Sequence, residues 1–297
     1  MRLSIHFWYE LSTNQIPAAV PTETTMSFRR FFAFFLAYLV AGVAAAQEEP
    51  LVFAVNEGVT YRVNPMATVD RLKDISDDLS KLLKRPVQVK AVTDYKELSA
   101  GLRERRYDLA WVHPAHHSIR ALSGGGYQLA ALTKGFTEYR ASFIVRGDTT
   151  LKTLADLKDR KVGAPDEDSI TSVMMRAVLR DAFGPQPLPT TYVRLQDAVP
   201  FMVENNFVVA GVSASRAVVK SWQEKGGKVL FTSKPVPIKH LIVNSRLSAA
   251  QRDEIAAYFI GLDQSAEGKK RLEGLNVQGF LAGDQAALLG IGKWLGI

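Results

Sequence analysis

Leu51–Val55 (LVFAV) is an unbroken apolar run, the pattern of a strand buried on both faces. A polar stretch, Asn56–Pro65, follows and reads as a loop. Leu72, Ile75, Leu79 and Leu82 then recur at helical spacing with charges between them. Val87–Val92 is a second strand. Asp94 and Glu97 have the spacing of a capping box and open a helix through Leu98 and Leu102. Leu109–Val112 is a third strand. The order β-α-β-α-β predicts parallel pairing in an α/β sheet.

The pattern then restarts. Strands are predicted at Ser142–Val145, Lys161–Ala164, Tyr192–Arg194, Phe207–Ala210, Val229–Phe231 and Ile238–Val243. Between them, helices are predicted at Leu154–Leu157, Ser169–Phe183, Asp197–Glu204 and Ser215–Glu224. The tail reads as three helices, Ser248–Ile260, Ala266–Leu272 and Asp284–Leu295. Gly124–Gly126 lies between a helix and a strand and reads as a turn. Two α/β units with a helical tail predict a two-lobed clamshell, residues 47–138 plus 241–297 forming one lobe and 139–240 the other. The chain is expected to cross out near Tyr139 and return near Lys239, with the C-terminal helices closing the first lobe. Ligands of such sheets bind beyond the carboxyl ends of the strands, at helix N-termini.

The 297 residues suit about two domains. With 47% hydrophobic and 23% charged residues the chain can bury a core, which excludes wholesale disorder. It has no cysteine, so disulfides, zinc-thiolate sites and thiol catalysis are excluded. The net charge of +7 comes without a long basic block, which gives no reason to expect nucleic acid as a partner.

Arg29 and Arg30 precede the uncharged run Phe31–Ala46 (FFAFFLAYLVAGVAAA), which ends in small residues. A basic start, a short apolar run and a small-residue end form a cleavable export signal. The run is short for a membrane span of about 20 residues. Met26 is read as the true start, residues 1–46 as the signal, and Gln47 as the first mature residue, which places the protein in the periplasm.

Three segments carry a family resemblance: YDLAWVHPAHHSIRAL (107–122), YRASFIVR (139–146) and LKTLADLKDRKVGAPDEDSITSVMMRAVL (151–179). In order and spacing they resemble the phosphate/phosphite/phosphonate-binding family of ABC-importer periplasmic substrate-binding proteins. The resemblance implies a type II periplasmic-binding-protein fold, a small oxyanion between the lobes, an ABC permease as partner, no catalysis and no cofactor. A monomer without nucleic-acid partners is expected. The sequence departs from the family at three places. His113-Pro114 stands where the family has Gly-Pro, Ser169-Ile170-Thr171-Ser172 where it has Ser-Thr-Ser-Gly, and the stretch 208–213 lacks the family's acidic residue.

The candidate ligand residues follow from both lines of reasoning. Ser169, Thr171 and Ser172 sit at a predicted helix start, where unpaired N–H groups and hydroxyls suit an oxyanion. Ordinary capping by Ser169 explains the same residues. Asp166, Glu167 and Asp168 would repel an anion and must face solvent. His113 is expected at the N-cap of the next helix, as a donor to the ligand. His116 and His117 are expected at the surface, and His113, His116 and His117 together form the alternative reading, a metal site. Tyr139, Arg140 and Ser142 lie at the outward crossing, and Tyr61 in the first strand–helix loop. Arg140 and Lys239, the latter at the return, would be counter-charges if they face inward; Lys239 reads rather as a solvated charge. No catalytic motif of the G-x-S-x-G, H-E-x-x-H or P-loop type is present. A periplasmic sensing module that signals to a membrane receptor is the competing class, and an enzyme the third.

Overall fold

The computed structural model describes residues 48–58 and 64–297. The export signal and Tyr61 lie outside the described residues. In the first sheet, β1 (Leu51–Glu57) pairs in parallel with β2 (Val87–Ala91) and β3 (Leu109–His113). β10 (His240–Asn244) runs antiparallel between β3 and β4 (Tyr127–Thr133), and β11 (Phe280–Leu281) closes the edge. The order is β11-β4-β10-β3-β1-β2. Its apolar residues alternate between two cores, as the period of a strand requires. Phe53, Val55, Leu109 and Trp111 face one side. Ala54, Ala110, Val112 and Ile242 face the other.

The second sheet has the order β7-β6-β8-β5-β9. β6 (Val162–Ala164) pairs in parallel with β7 (Thr190–Tyr192) and β8 (Ala210–Ser213). β5 (Ser142–Val145) runs antiparallel to β8 and to β9 (Lys228–Thr232). The chain therefore passes between the sheets twice, along 134–141 and along 233–239. These two passages are paired. Tyr139 N donates to the Val236 carbonyl (3.3 Å) and Val236 N to the Tyr139 carbonyl (2.9 Å). Ala141 N donates to Ser233 Oγ (2.9 Å), and Ile238 N to the Phe136 carbonyl (3.0 Å).

Helices α1 (Pro65–Arg71), α2 (Lys73–Leu83), α3 (Tyr95–Arg103) and α4 (Ala115–Ser123) accompany the first sheet. Asn64 caps α1 and Asp94 caps α3, the latter accepting from Glu97 N at 2.8 Å. The expected loop Asn56–Pro65 is shorter than predicted: β1 runs on to Glu57, and α1 begins at Pro65, whose fixed φ suits a first helical position. The second sheet carries α5 (Ile170–Phe183), α6 (Val199–Glu204) and α7 (Arg216–Glu224). The tail is α8 (Ala249–Gly261), α9 (Ala266–Leu275) and α10 (Gln285–Leu295). α8 and α9 cover the first sheet's core through Ile255, Phe259 and Leu272. α10 reaches further than expected. Leu288 packs with the first sheet's second core, whereas Leu295 packs in the core built around α5. Trp294 Nε1 also donates to Asp181 Oδ2 (2.7 Å) on α5.

Candidate functional site

Two adjoining cavities open beside the passages between the sheets. The larger, of about 420 Å³, is walled by Glu57, His113, Phe136, Tyr139, Arg216 and Lys239, among others. The smaller, of about 300 Å³, is walled by Arg140, Ser142 and Thr232. Tyr139, Arg216, Glu138 and Ala214 belong to both. The walls come from the carboxyl ends of β1, β3 and β8, from the start of α7 and from both passages. That is where an α/β sheet presents a ligand site.

His113 is the last residue of β3, and Pro114 takes the N-cap position of α4, one residue later than the sequence suggests. Its Nδ1 lies 3.1 Å from the Ile238 carbonyl, which can only accept, so Nδ1 carries the proton. Nε2 is then the ring's acceptor. Burial, reinforced by Lys239, lowers His113 to about 3, so it is neutral at pH 7.

His116 and His117 are buried, contrary to the expected surface position. Their ring centroids lie 4.1 Å apart, with the planes tilted by 39°. His117 Nδ1 meets Ser99 Oγ at 2.9 Å, and Tyr95 packs 5.0 Å from its ring. Among the described residues neither nitrogen of His116 has a hydrogen-bond partner. Burial drives both well below the ordinary histidine value, His117 to about 4. Among the described residues, no group of three or more His, Cys, Asp or Glu side chains converges to hold a metal ion.

Ser169 caps α5, accepting from Ser172 N at 3.2 Å. Ser172 Oγ donates to the Pro165 carbonyl (2.9 Å), and Ser169 Oγ to Ser172 Oγ (3.2 Å). Thr171 Oγ1 lies 3.3 Å from the Tyr139 hydroxyl. All three side chains are buried, and their hydroxyls bond to protein groups. Tyr139 therefore joins this helix start to both cavities. Glu167 and Asp168 face solvent, and Asp166 is half-buried with its carboxylate turned onto Asp168 N (2.9 Å).

Arg140 is exposed, paired with Glu138 (3.1 Å), and donates to the Ser233 carbonyl (3.2 Å). Ser142 Oγ meets Thr232 Oγ1 at 3.4 Å.

Sequence reasoning missed one residue here and misjudged a second. Gln196 organises the β8–α7 turn: its Oε1 accepts from Ser213 Oγ (3.1 Å), Ala214 N (2.9 Å) and Ser215 N (3.1 Å). Its Nε2 donates to the Tyr139 hydroxyl at 2.9 Å. Lys239 is the second. It is not a solvated charge but 8% exposed, with its ammonium 4.2 Å from the Trp111 ring and 4.9 Å from that of Phe136. Burial lowers it to about 8, with Glu57 opposing and Arg71 adding to the shift. Only the aromatic at 111 and the basic residue at 239 were visible in sequence; their juxtaposition comes from β10 pairing with β3.

The model of ABC-transporter phosphonate periplasmic substrate-binding proteins matches residues 58–288. Among solved structures, XAC2383 from Xanthomonas citri bound to ATP superposes with a TM-score of 0.68 at 13% identity, covering 82% of this chain and 97% of its own. PhnD1 from Prochlorococcus marinus, in complex with methylphosphonate, gives 0.59 at 18% identity, covering 83% and 97%. The binding-protein component PA3383 of a phosphonate ABC transporter from Pseudomonas aeruginosa gives 0.56 at 18%, covering 83% and 86%. At these identities the structures show a shared fold, that of type II periplasmic binding proteins. The family match extends over most of the chain, and the chain belongs to the family of periplasmic phosphonate-binding proteins of ABC transporters.

Proposed function

We propose that this chain, exported by its N-terminal signal, captures a phosphonate-class oxyanion in the cavity beside His113, Tyr139, Arg216 and Lys239 and delivers it unchanged to an ABC permease. In this reading residues 47–138 with 241–297 form one lobe and 139–240 the other, and the paired passages are the hinge. Hinge closure about such strands would enclose the ligand. The observation that carries the reading is the cavity itself, because one wall comes from the first sheet and the opposite wall from the β8–α7 turn of the second. Tyr139 is the residue through which the hydroxyl-rich start of α5 acts on the ligand. Ser142 and Arg140 line the outer part of the same space.

The reading also holds that the protein performs no chemistry on its ligand. No described helix is long and apolar enough to cross a membrane, which suits a periplasmic carrier. A thermal-shift screen of the purified chain against methylphosphonate, phosphite, phosphate, sulfonates and carboxylates tests the ligand class. A ligand at 100 times its Kd adds about 2.7 kcal/mol of stability. Stabilisation by the phosphorus oxyanions alone supports the reading. A response confined to carboxylates, or conversion of a bound compound to product, contradicts it.

A further inference from the structure

The larger cavity has an uneven charge balance. Its two carboxylates are already paired: Glu57 with Arg71 at 2.7 Å, and Glu138 with Arg140 at 3.1 Å. Glu57 also accepts from Thr68 Oγ1 at 2.8 Å. Its two cations are not. Among the described residues neither Lys239 nor Arg216 makes an ion pair, and the Lys239 ammonium makes no hydrogen bond. Arg216 lies at the start of α7, where the macrodipole adds positive potential.

Lys239 is the more telling of the two because it is more than nine-tenths buried. A buried ammonium without an ion-pair partner is costly, and the faces of Trp111 and Phe136, with the nearby Glu57, offset only part of that cost. The chain holds it there by backbone as well as by packing: the Lys239 carbonyl accepts from Thr133 N at 3.1 Å, which fixes the passage where it joins the sheet. The side chain is therefore held at the cavity wall by the fold.

We infer that Lys239 supplies the counter-charge for the ligand's anionic group, and that the site selects phosphonates with an uncharged organic substituent over aminophosphonates. This rests on the reading of the cavity as the phosphonate site. A second ammonium, brought by the ligand, would enter a space that already holds two unpaired cations. It would find no carboxylate free of an arginine. The segment 208–213 supplies none either, since β8 ends in Val212 and Ser213. An alkyl phosphonate meets the opposite situation: its oxyanion neutralises Lys239, and its carbon substituent meets Phe136 and Ile238.

The test is calorimetry with methylphosphonate and 2-aminoethylphosphonate on the mature chain and on Lys239→Met and Lys239→Arg. The parent protein is expected to bind methylphosphonate at least about tenfold more tightly than 2-aminoethylphosphonate. Lys239→Met should weaken methylphosphonate about ten- to a hundredfold and narrow that preference. Lys239→Arg should retain more of the affinity than Lys239→Met. Removing a buried charge that has no ion-pair partner should also raise the melting temperature of ligand-free Lys239→Met above that of the parent. This second readout is independent of the ligand and shows that the variant is folded. If the parent binds methylphosphonate and Lys239→Met binds it equally well, or if 2-aminoethylphosphonate is preferred, this inference fails and the phosphonate site stands. If the parent binds neither compound, the phosphonate reading fails and takes the inference with it.

Discussion

The Tyr139 hydroxyl lies 3.3 Å from Thr171 Oγ1 and so ties the outward passage to the first turn of α5. Gln196 Nε2 donates to the same hydroxyl at 2.9 Å. One phenol therefore connects the helix start at Ile170, the β8–α7 turn and the two cavities.

From this follows the first prediction. Tyr139→Phe keeps the ring and removes the hydroxyl, leaving Gln196 Nε2 without that acceptor and Thr171 without its contact. Thr171→Val keeps the shape and removes only Oγ1. Each should weaken methylphosphonate binding by about 1–2 kcal/mol, roughly five- to thirtyfold. Titration calorimetry at pH 7 measures it. Unchanged affinity in both variants would separate the start of α5 from the ligand site.

A second prediction concerns acid stability. His113 and His240 are lowered by burial to about 3 and about 4, His117 to about 4, and His116 well below its ordinary 6.5. His240 is fixed as a neutral ring: Nε2 donates to the Pro237 carbonyl (3.1 Å) while Nδ1 meets Ser118 Oγ (2.7 Å). On unfolding, each histidine regains its ordinary value and takes up a proton. The unfolded chain thus binds more protons below about pH 6.5, and stability is lost as pH falls from there toward 4. Each such histidine adds up to about 1.4 kcal/mol per pH unit to the slope. Urea melts between pH 7 and 4 should show this decline. His240→Gln or His117→Gln should make it shallower, and a pH-independent midpoint over that range would contradict the assignment.

A third prediction concerns alkaline pH. Lys239 sits at about 8 in the fold against an ordinary 10.5, facing Glu57, Arg71 and His113. Between these values the unfolded chain holds a proton that the native chain lacks. This group alone therefore makes stability rise with pH from about 8 to 10.5. Anion affinity should fall over the same range, because the neutral amine offers no counter-charge. Binding measured from pH 7 to 9.5 should weaken above about 8 in the parent, and Lys239→Met should lack that inflection.

Much of this arrangement is readable from residue pattern because its causes are local. Unbroken apolar runs mark β1, β3 and β5. Asp94, Ser169, Ser215 and Ser248 each stand where the helix they cap begins. α1 escapes the periodicity argument because Met66 and Val69 are exposed and only Thr68 is buried, so it has no apolar stripe. Its signal is instead the Asn64-Pro65 cap. The buried positions of His116, His117 and Lys239 have non-local causes. His117 is covered by Ser99 and Tyr95 from α3, and Lys239 by Trp111 and Phe136. Nothing in the neighbouring sequence distinguishes a covered imidazole or ammonium from a solvated one.

The most direct test of the account is a calorimetric titration of the purified mature chain with methylphosphonate at pH 7 and low salt. Capture in the cavity predicts a single saturable site per chain, with the ligand recovered unchanged afterwards. A flat titration that stays flat with phosphite and phosphate, or the appearance of a reaction product, would contradict it.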